Sequence, residues 1–518
     1  MLRLALLALA GLSLSAAFAA PRDEFIRVGD DHFSFVTKQS KTRFIPVGTN
    51  FVLNSKKYLN LFGPEVYDGP RYERCLAEIE GLGCTLVKVF LPIAQVLPDP
   101  QVSGDAHIAP GYFENLESFI KLAREHNIRV EISLCSWGGN GIKWWHDGGE
   151  YFGRKPWKTD AGVDSLDVLN HFWTKLCTRF RDNPTVFSYT PEVEWSFPAT
   201  NLTWKPPDKQ WGTLETEQGV YYWRAFLRAR YKDDLAAMNK AYGSTFAHFE
   251  DVPVANFDYD FGKHAYGDPD AKILDYQNFR EWASRRYFKP QLAAMRKADP
   301  NHMVTISNHM RRPIELWEGS AVHFIGFSEP EQSDMVDYLT SHDNHAVSDQ
   351  KPPTPIEDIV RGSIVRTRFC NAYKKMPVII EEYTYGAPDE ATTADVQERM
   401  LRGTIGSASG WTNWYLQYPS DANEADTPAT ERSAILRDDY TPTAWGQRLR
   451  VLTAELAKTD LSRKPAGQVV TADRMKSLVP HELGVAYDVC KRWDAYKQPV
   501  DYIWPHNEWL DMKLIGEH

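Results

Sequence analysis

Apolar runs of strand length alternate with amphipathic helical segments over most of the chain. Seven such runs occupy residues 44–50, 85–91, 129–134, 185–190, 303–307, 377–381 and 410–416. Residues 322–327 and residues 335–341 are alternative candidates for the sixth strand, and we favour 335–341. Helical periodicity marks residues 71–82, 112–126, 166–181, 220–242 and 274–297. Strands that alternate with helices indicate parallel βα units, and eight of them predict an α/β fold, the (β/α)8 TIM barrel.

Both ends of the chain depart from this pattern. Residues 25–28 and 32–36 predict a short N-terminal hairpin. Residues 1–19 combine a charged start, a short apolar run and an Ala-x-Ala site, which is typical of a signal peptide cleaved after Ala19. We therefore predict a signal peptide over 1–19, a barrel domain over 20–458 and a short C-terminal extension over 459–518, whose role the pattern leaves open.

Charge, hydropathy and cysteine content limit the binding partners, the cellular compartment and the disulfide bridges that we expect. The chain of 518 residues has a formal net charge of −10 and no long basic run, which argues against nucleic acid and an anionic membrane as partners. No later run reaches transmembrane length, so we expect a secreted or periplasmic protein. Six scattered cysteines leave two alternatives open, free thiols or a bridge between Cys75 and Cys84. The oligomeric state is not predicted.

Aromatic residues are abundant and add a candidate ligand. They make up 13% of the chain, with 17 Trp and 24 Tyr. Most aromatic side chains fill cores, but Trp and Tyr also present a flat apolar face with a polar edge, which suits a sugar ring. A carbohydrate-binding cleft is therefore one interpretation of the composition.

Glutamates occur where a barrel would place its catalytic groups, at the C-terminal ends of strands. Glu192 and Glu194 follow the fourth strand, and Glu381 and Glu382 follow the seventh. Hydrolysis of a glycoside needs two carboxyl groups, one to protonate the leaving oxygen and one to attack the anomeric carbon or to activate water. Glutamates at strand ends also cap helices or pair with surface cations, so the residues around each pair are informative.

The fourth strand resembles that of the clan A glycoside hydrolases, which include families 5 and 42. Residues 183–189 (NPTVFSY) are similar to the start of that strand, which leads to an Asn-Glu pair whose Glu is the acid/base. Counting along the strand gives this role to Glu194, with Val193 in the place of Asn. In the clan this Asn contacts the sugar 2-hydroxyl, which Val cannot do. We expect Asn308 or Asn50 to supply that contact.

The seventh and eighth strands carry the second resemblance. Residues 375–383 (KMPVIIEEY) are similar to the clan's nucleophile strand, which makes Glu382 the nucleophile and leaves Glu381 outside the barrel mouth. Residues 409–414 (SGWTNW) resemble the segment that carries a tryptophan under the sugar, a role given to Trp414 with Trp411 as the alternative. The resemblance also implies sugar contacts at strand ends from His342, Asn50, Lys88, Trp137, Trp195 and Asn308.

Other segments resemble one family or the other. Residues 221–227 (YYWRAFL) and 235–243 (LAAMNKAYG) are similar to the insertion after the acid/base in family 42 β-galactosidases. Residues 46–51 (PVGTNF) and 381–383 (EEY) look more like family 5 β-mannanases. The resemblance implies a glycoside hydrolase catalytic domain that acts by double displacement on β-linked carbohydrate, with β-mannosides or β-galactosides favoured. It implies no cofactor, and carboxyl groups about 5 Å apart, as in retaining enzymes.

Two other functions are compatible with the same barrel. A non-catalytic carbohydrate-binding barrel would account for Val193 in the place of Asn. A metal-dependent hydrolase would need a cluster of metal ligands. The candidate ligands in this sequence do not have the spacing of any helical metal-binding motif. We therefore predict no metal, although candidate ligands are His146, Asp147, His342, Asp343 and His345.

Overall fold

The computed structural model describes the greater part of the chain. The described residues are 22–54, 60–98, 105, 108–135, 165–193, 217–253, 271–307, 332–346, 356–387, 389–418, 432–471, 500–503 and 508–516. The signal peptide predicted over 1–19 and the candidate strand at 322–327 lie outside these residues. Cleavage and export therefore stay predictions.

A small antiparallel sheet forms the N-terminal end of the fold. It contains β1 (Ile26–Val28), β2 (Phe35–Thr37) and β3 (Arg43–Phe44), and β1 pairs with β2 as the predicted hairpin. Apolar side chains of this sheet pack into the lower end of the barrel. The residues that they meet there are Leu86, Phe187, Met303, Tyr338 and Ile379.

Eight parallel strands form the barrel sheet. They are β4 (Val47–Asn50), β5 (Leu86–Pro92), β6 (Arg129–Cys135), β7 (Val186–Thr190), β8 (Met303–Val304), β9 (Leu339–Ala346), β10 (Val378–Gly386) and β11 (Gly410–Asn413). Their order is β8-β7-β6-β5-β4-β11-β10-β9. Hydrogen bonds join the two end strands, since Asp337 N donates to Val304 O over 2.9 Å and Thr305 Oγ1 donates to Tyr338 O over 2.7 Å. The predicted (β/α)8 barrel is confirmed.

The α-helices of the described residues surround this sheet. They are α1 (Gly69–Gly81), α2 (Ile93–Val96), α3 (Tyr112–Glu125), α4 (Ser165–Phe180), α5 (Glu217–Arg230), α6 (Leu235–Tyr242), α7 (Ala271–Ala298), α8 (Ile356–Cys370), α9 (Glu390–Thr404) and α10 (Ala444–Leu456). Helical periodicity predicted α1, α3, α4 and α7 to within a few residues.

The single helix predicted over 220–242 is wrong. The structure has two helices, α5 and α6, because Lys232 and Asp233 adopt left-handed backbone angles, with φ of 53° and 62°. Asp234 then caps α6 by accepting a hydrogen bond from the backbone N–H of Ala237 over 2.9 Å.

The C-terminal extension contributes a two-stranded parallel sheet, β12 (Gln468–Thr471) with β13 (Val500–Ile503). Arg368 on α8 donates to Asp501 on β13 over 2.8 Å, which ties the extension to the helix layer. The predicted boundary near residue 458 is not tested by these contacts.

The structure also bears on the predictions about a disulfide bridge and about membrane-spanning segments. Cys75 and Cys84 are buried free thiols, so the alternative of a bridge between them is not realised. Within the described ranges, no helix has the length and apolar character that crossing a membrane would require.

Candidate active site

A β-bulge in β10 turns two neighbouring glutamates into the barrel. In a regular strand successive side chains point to opposite faces, which would separate Glu381 from Glu382. The register of β10 shifts between Ile380 and Glu382 against β9, and between Ile380 and Tyr383 against β11. Both carboxylates consequently contact the same Lys88 ammonium. The prediction that Glu381 lies outside the barrel mouth is therefore wrong, because strict alternation fails at the bulge.

Lys88, on β5, links these carboxylates. Its Nζ is 3.0 Å from Oε1 of Glu381 and 3.7 Å from Oε1 of Glu382, and it donates to Oγ of Ser307 over 3.0 Å. The side chains of Lys88 and Glu381 are 0% exposed and that of Glu382 is 3% exposed. Burial alone would lower the pKa of Lys88, but the charges of Glu381 and Glu382 raise it above its usual value. Lys88 is therefore a buried cation shared by two carboxylates.

His342, on β9, contacts the same two glutamates. Its Nε2 is 3.1 Å from Oε2 of Glu381, and its Nδ1 is 3.3 Å from Oε2 of Glu382. Ser307 donates its hydroxyl hydrogen to Oε2 of Glu381 over 2.5 Å and lies 3.0 Å from Nε2 of His342. The structure thus brings His342 beside the candidate nucleophile, while its predicted contact with the sugar stays a prediction.

A third carboxyl group, Glu131 on β6, lies in the same interior. Thr190 donates to its Oε1 over 2.9 Å, and Tyr338 donates to its Oε2 over 3.1 Å. The Tyr338 hydroxyl also forms a hydrogen bond of 2.7 Å with Oγ of Ser188. These polar side chains fix Glu131 in place.

Glu131 and Glu381 share a side-chain hydrogen bond and titrate in opposite directions. Burial, followed by the charge of Glu381, raises the pKa of Glu131 well above its usual value. Burial also opposes the ionisation of Glu381, but the Lys88 charge and hydrogen bonds from Glu131 and His342 lower its pKa well below the usual value. The two shifts run in opposite directions, which favours a proton on Glu131 and an ionised Glu381 in the hydrogen bond between them.

Apolar layers enclose the charged group on both sides. Along β5 the inward side chains are Leu86, Lys88 and Phe90 in turn, so the charge lies between two apolar positions. The layer toward the C-terminal ends of the strands contains Val52, Phe90, Cys135, Val193, Tyr415 and Ala434. Such surroundings strengthen attraction between charges and make an unpaired ion costly.

The raised pKa of Glu131 gives a prediction about stability. Glu131→Gln keeps a donor toward Glu381 and cannot titrate. A carboxyl with a raised folded pKa destabilises the fold as pH rises above the ordinary value of 4.5, by about 1.4 kcal/mol per pH unit until the folded pKa is reached. We expect the stability of the natural protein to fall relative to Glu131→Gln as pH rises above about 5. Urea unfolding at several pH values measures this difference.

Glu131→Ala is the matched comparison. It removes the hydrogen bonds and leaves a cavity, so we expect a loss of about 3 kcal/mol near neutral pH. Parallel stability curves for the natural protein and Glu131→Gln over this pH range would contradict a protonated Glu131.

The structure separates the two tryptophans considered for the sugar platform. Trp414 is half-buried at the barrel mouth and packs edge-on against Phe90, with ring centroids 5.6 Å apart. Trp411 is fully buried on the helix side, where its indole N–H donates to Thr404 over 2.8 Å. The alternative assignment of the platform to Trp411 is wrong, because strand alternation turns it away from the interior.

Asn50 and Lys88 are engaged with the protein itself. Nδ2 of Asn50 donates to the backbone carbonyls of Glu381 and Asn413 over 2.9 and 3.0 Å. Within the Asn50 side chain, the amide nitrogen is thus engaged, whereas Oδ1 has no hydrogen-bond partner among the described residues. Since the ammonium of Lys88 faces the two glutamates, the hydroxyl contacts predicted for these residues stay predictions, and Asn50 would make its contact through Oδ1.

Several predicted site residues lie outside the described part of the chain, namely Glu194, Trp137, Trp195 and Asn308. The separation of about 5 Å between the Glu194 and Glu382 carboxyl groups therefore stays a prediction. Glu192, two residues before Glu194, is described and buried. Across the described ranges, no group of three or more His, Cys, Asp or Glu side chains could hold a metal ion.

Sequence reasoning missed Glu131, Ser307 and Tyr338. A signal for Glu131 does exist, because Lys88 and Glu131 are register partners on neighbouring strands. Each is a charged residue within a largely apolar strand, at an alternate position that faces inward. Opposite charges at such positions predict a buried pair, whereas Ser307 and Tyr338 give no comparable signal.

Comparison with known protein families gives one match. The family 42 glycoside hydrolases, described as β-galactosidases, match residues 166–367, which is less than half of the chain. This segment begins in α4, ends in α8 and includes His342 and both glutamates after β7. No curated protein matches the chain by sequence.

Solved structures share the fold over most of the chain. A family 5, subfamily 18 enzyme from Streptomyces cattleya, in complex with Manβ1-4GlcNAc, matches with a TM-score of 0.57 and 13% identity, over 89% of this chain and 94% of that chain. A family 42 β-galactosidase from G. stearothermophilus matches with a TM-score of 0.62 and 12% identity, over 89% of this chain and 65% of that chain. A β-galactosidase from the Antarctic haloarchaeon Halorubrum lacusprofundi matches with a TM-score of 0.59 and 14% identity, over 90% of this chain and 67% of that chain.

Identities this low establish the fold alone. The chain spans nearly the full length of the family 5 structure but about two thirds of the length of the two β-galactosidase structures. The chain is therefore a (β/α)8 barrel that resembles the clan A glycoside hydrolases of families 5 and 42, as its motifs predicted, and glycoside hydrolase is the enzyme class that the comparisons support.

Proposed function

We propose that this chain hydrolyses β-glycosides by double displacement, with Glu382 as nucleophile and Glu194 as acid/base. The observation that carries the proposal is the placement of Glu382 in the middle of the seventh barrel strand, within 3.7 Å of the Lys88 ammonium and 3.3 Å of His342. Barrel enzymes act at the C-terminal ends of their strands, and Glu382 lies one residue farther toward that end than Glu381. A carboxylate held by fixed partners there is oriented for attack on an anomeric carbon.

Glu381 is the natural competitor for the nucleophile. It is fully buried and accepts hydrogen bonds from Ser307 and Glu131, in addition to its ion pair with Lys88. A nucleophile must reach the substrate, and Glu382 lies one residue closer to the C-terminal end of the strand. These positions favour Glu382.

Glu381 instead serves as a permanent counter-charge. When Glu382 forms the glycosyl ester it loses its negative charge. A buried Lys88 left without an anion would cost several kcal/mol, on the order of 3–5. The ionised Glu381, 3.0 Å from Lys88, keeps that cation paired in both halves of the reaction.

The remaining roles complete the mechanism. Glu194 protonates the leaving oxygen in the first step and takes a proton from the attacking water in the second. Trp414, half-buried at the mouth, offers its ring to the sugar. Because the matched family is described as β-galactosidases and one structure with this fold holds Manβ1-4GlcNAc, we propose β-galactosides and β-mannosides as the first substrates to test.

Product stereochemistry tests this proposal. Purified protein is incubated with a panel of aryl β-glycosides, with mannan and with galactan, and product formation is followed by proton NMR. We expect the β-anomer to appear first, because two inversions restore the configuration. A first-formed α-anomer would contradict double displacement. Binding without turnover across the whole panel would favour the non-catalytic carbohydrate-binding barrel.

A further inference from the structure

Two side chains from other strands hold the backbone carbonyl of Glu381. Asn50, at the end of β4, donates to it over 2.9 Å, and the hydroxyl of Thr412 on β11 donates to it as well. Both donors are buried, with exposures of 0% and 1%. This carbonyl belongs to the residue at which the register of β10 against β9 shifts. The two side chains therefore contact the bulge itself.

A bulge disrupts the ladder of hydrogen bonds between strands, and a buried carbonyl there needs a donor. At this bulge the oxygen of the peptide group between Glu381 and Glu382 is directed at donors from β4 and β11. The same peptide group joins the two glutamates, so its orientation sets the directions in which both side chains leave the backbone.

Asn50 is itself fixed in place. Its second Nδ2 hydrogen bond goes to the backbone carbonyl of Asn413 on β11, over 3.0 Å. Asn413 is in turn held by its own side chain, which donates to the carbonyls of Tyr415 and Ser433 over 2.9 and 3.0 Å. The donors that meet the bulge thus belong to a buried hydrogen-bonded framework.

We propose that Asn50 and Thr412 are positioning residues for the nucleophile, because they fix the β10 bulge and thereby direct Glu382 into the barrel mouth. This inference rests on the proposed role of Glu382. A regular strand register would send one of the two carboxylates to the helix side, away from Lys88. Neither Asn50 nor Thr412 needs to touch the substrate to have this effect.

Substitutions at Thr412 test the inference, because valine has the same shape without the hydroxyl. We expect Thr412→Val to lower kcat by about tenfold to a hundredfold, with KM within about twofold, since a small misplacement of a reacting group costs rate more than binding. Thr412→Ser keeps the hydroxyl and is expected to stay within about threefold of the natural protein.

Thr305→Val is the matched control. Its hydroxyl also donates to a buried carbonyl in the barrel, that of Tyr338 over 2.7 Å, but not at the bulge. We expect this variant to keep kcat within about threefold while losing one buried hydrogen bond. Asn50→Ala combined with Thr412→Val should be less than additive in kcat, because both changes act on one carbonyl.

Crystal structures of the natural protein and Thr412→Val provide a readout that does not depend on activity. The Glu382 carboxylate should shift away from Lys88 Nζ, from the 3.7 Å seen here. Natural kcat together with an unmoved Glu382 would overturn the inference. If the natural protein hydrolyses no glycoside, the proposed function fails, and an unmoved or shifted Glu382 in the variant still decides whether Thr412 fixes the bulge.

Discussion

Glu382→Ala is expected to lower kcat by at least about 10⁴-fold on every substrate, because no covalent intermediate can form without the carboxylate. The space left by the side chain admits azide, which would attack the anomeric carbon directly and give an α-glycosyl azide. Steady-state kinetics with and without azide, together with NMR of the product, measure both effects.

Glu381→Gln is the matched control for this substitution. It leaves the nucleophile in place and removes the counter-charge that stays with Lys88 at 3.0 Å. We expect a smaller loss of kcat, roughly tenfold to a hundredfold, and no rescue by azide. Rescue in a Glu381→Ala variant, combined with residual turnover by Glu382→Ala, would reverse the two assignments.

Glu194→Ala should show an effect that depends on the leaving group. Substrates with good leaving groups need little protonation and should keep the first step, whereas poor leaving groups should lose about 10²–10⁴-fold in kcat/KM. Hydrolysis of the intermediate then limits turnover, and azide should restore it as a β-glycosyl azide. A series of aryl glycosides with leaving groups of different acidity measures the trend.

Glu192→Ala is the control for the assignment along β7. Glu192 is buried two residues before Glu194 and has the same strand parity. We expect no dependence on the leaving group in this variant. If Glu192→Ala shows that dependence and Glu194→Ala does not, the count along the strand is wrong by two residues.

The barrel could be predicted because its strands are buried on both faces and therefore appear as short apolar runs. The strand predicted at 85–91 is observed at Leu86–Pro92, and the strand predicted at 129–134 is observed at Arg129–Cys135. The sixth strand was harder to predict, since Leu339–Ala346 continues into polar residues. Its His342 faces two buried glutamates, so hydropathy does not mark it as buried.

Two local conformations are weakly marked in the residue pattern. The break between α5 and α6 occurs at Lys232 and Asp233, where no glycine or proline ends the first helix and only the capping Asp234 indicates the start of the second. The bulge at Glu381 lies within a strand that looks regular by hydropathy. Since alternation was assumed there, the motif led to Glu382 as the candidate nucleophile and to the wrong side of the strand for Glu381.

The remainder of the site depends on contacts between distant parts of the chain. Glu131, Lys88 and Glu381 lie on three different strands, and the raised pKa of Glu131 follows from burial and from the charge of Glu381. Burial and the proximity of charges are properties of the folded chain. The sequence indicates them only where charged residues occupy strand positions whose side chains point inward.

Covalent labelling tests the assignment of Glu382 most directly. A 2-deoxy-2-fluoro β-glycoside with a good leaving group, built on the sugar preferred in the substrate panel, should trap the glycosyl-enzyme, because the fluorine slows its hydrolysis. Tandem mass spectrometry of the peptide that contains residues 378–386 then locates the sugar. We expect it on Glu382, with loss of activity in proportion to labelling. A sugar attached to Glu381, or rapid turnover of natural substrate by fully labelled protein, would contradict the assignment.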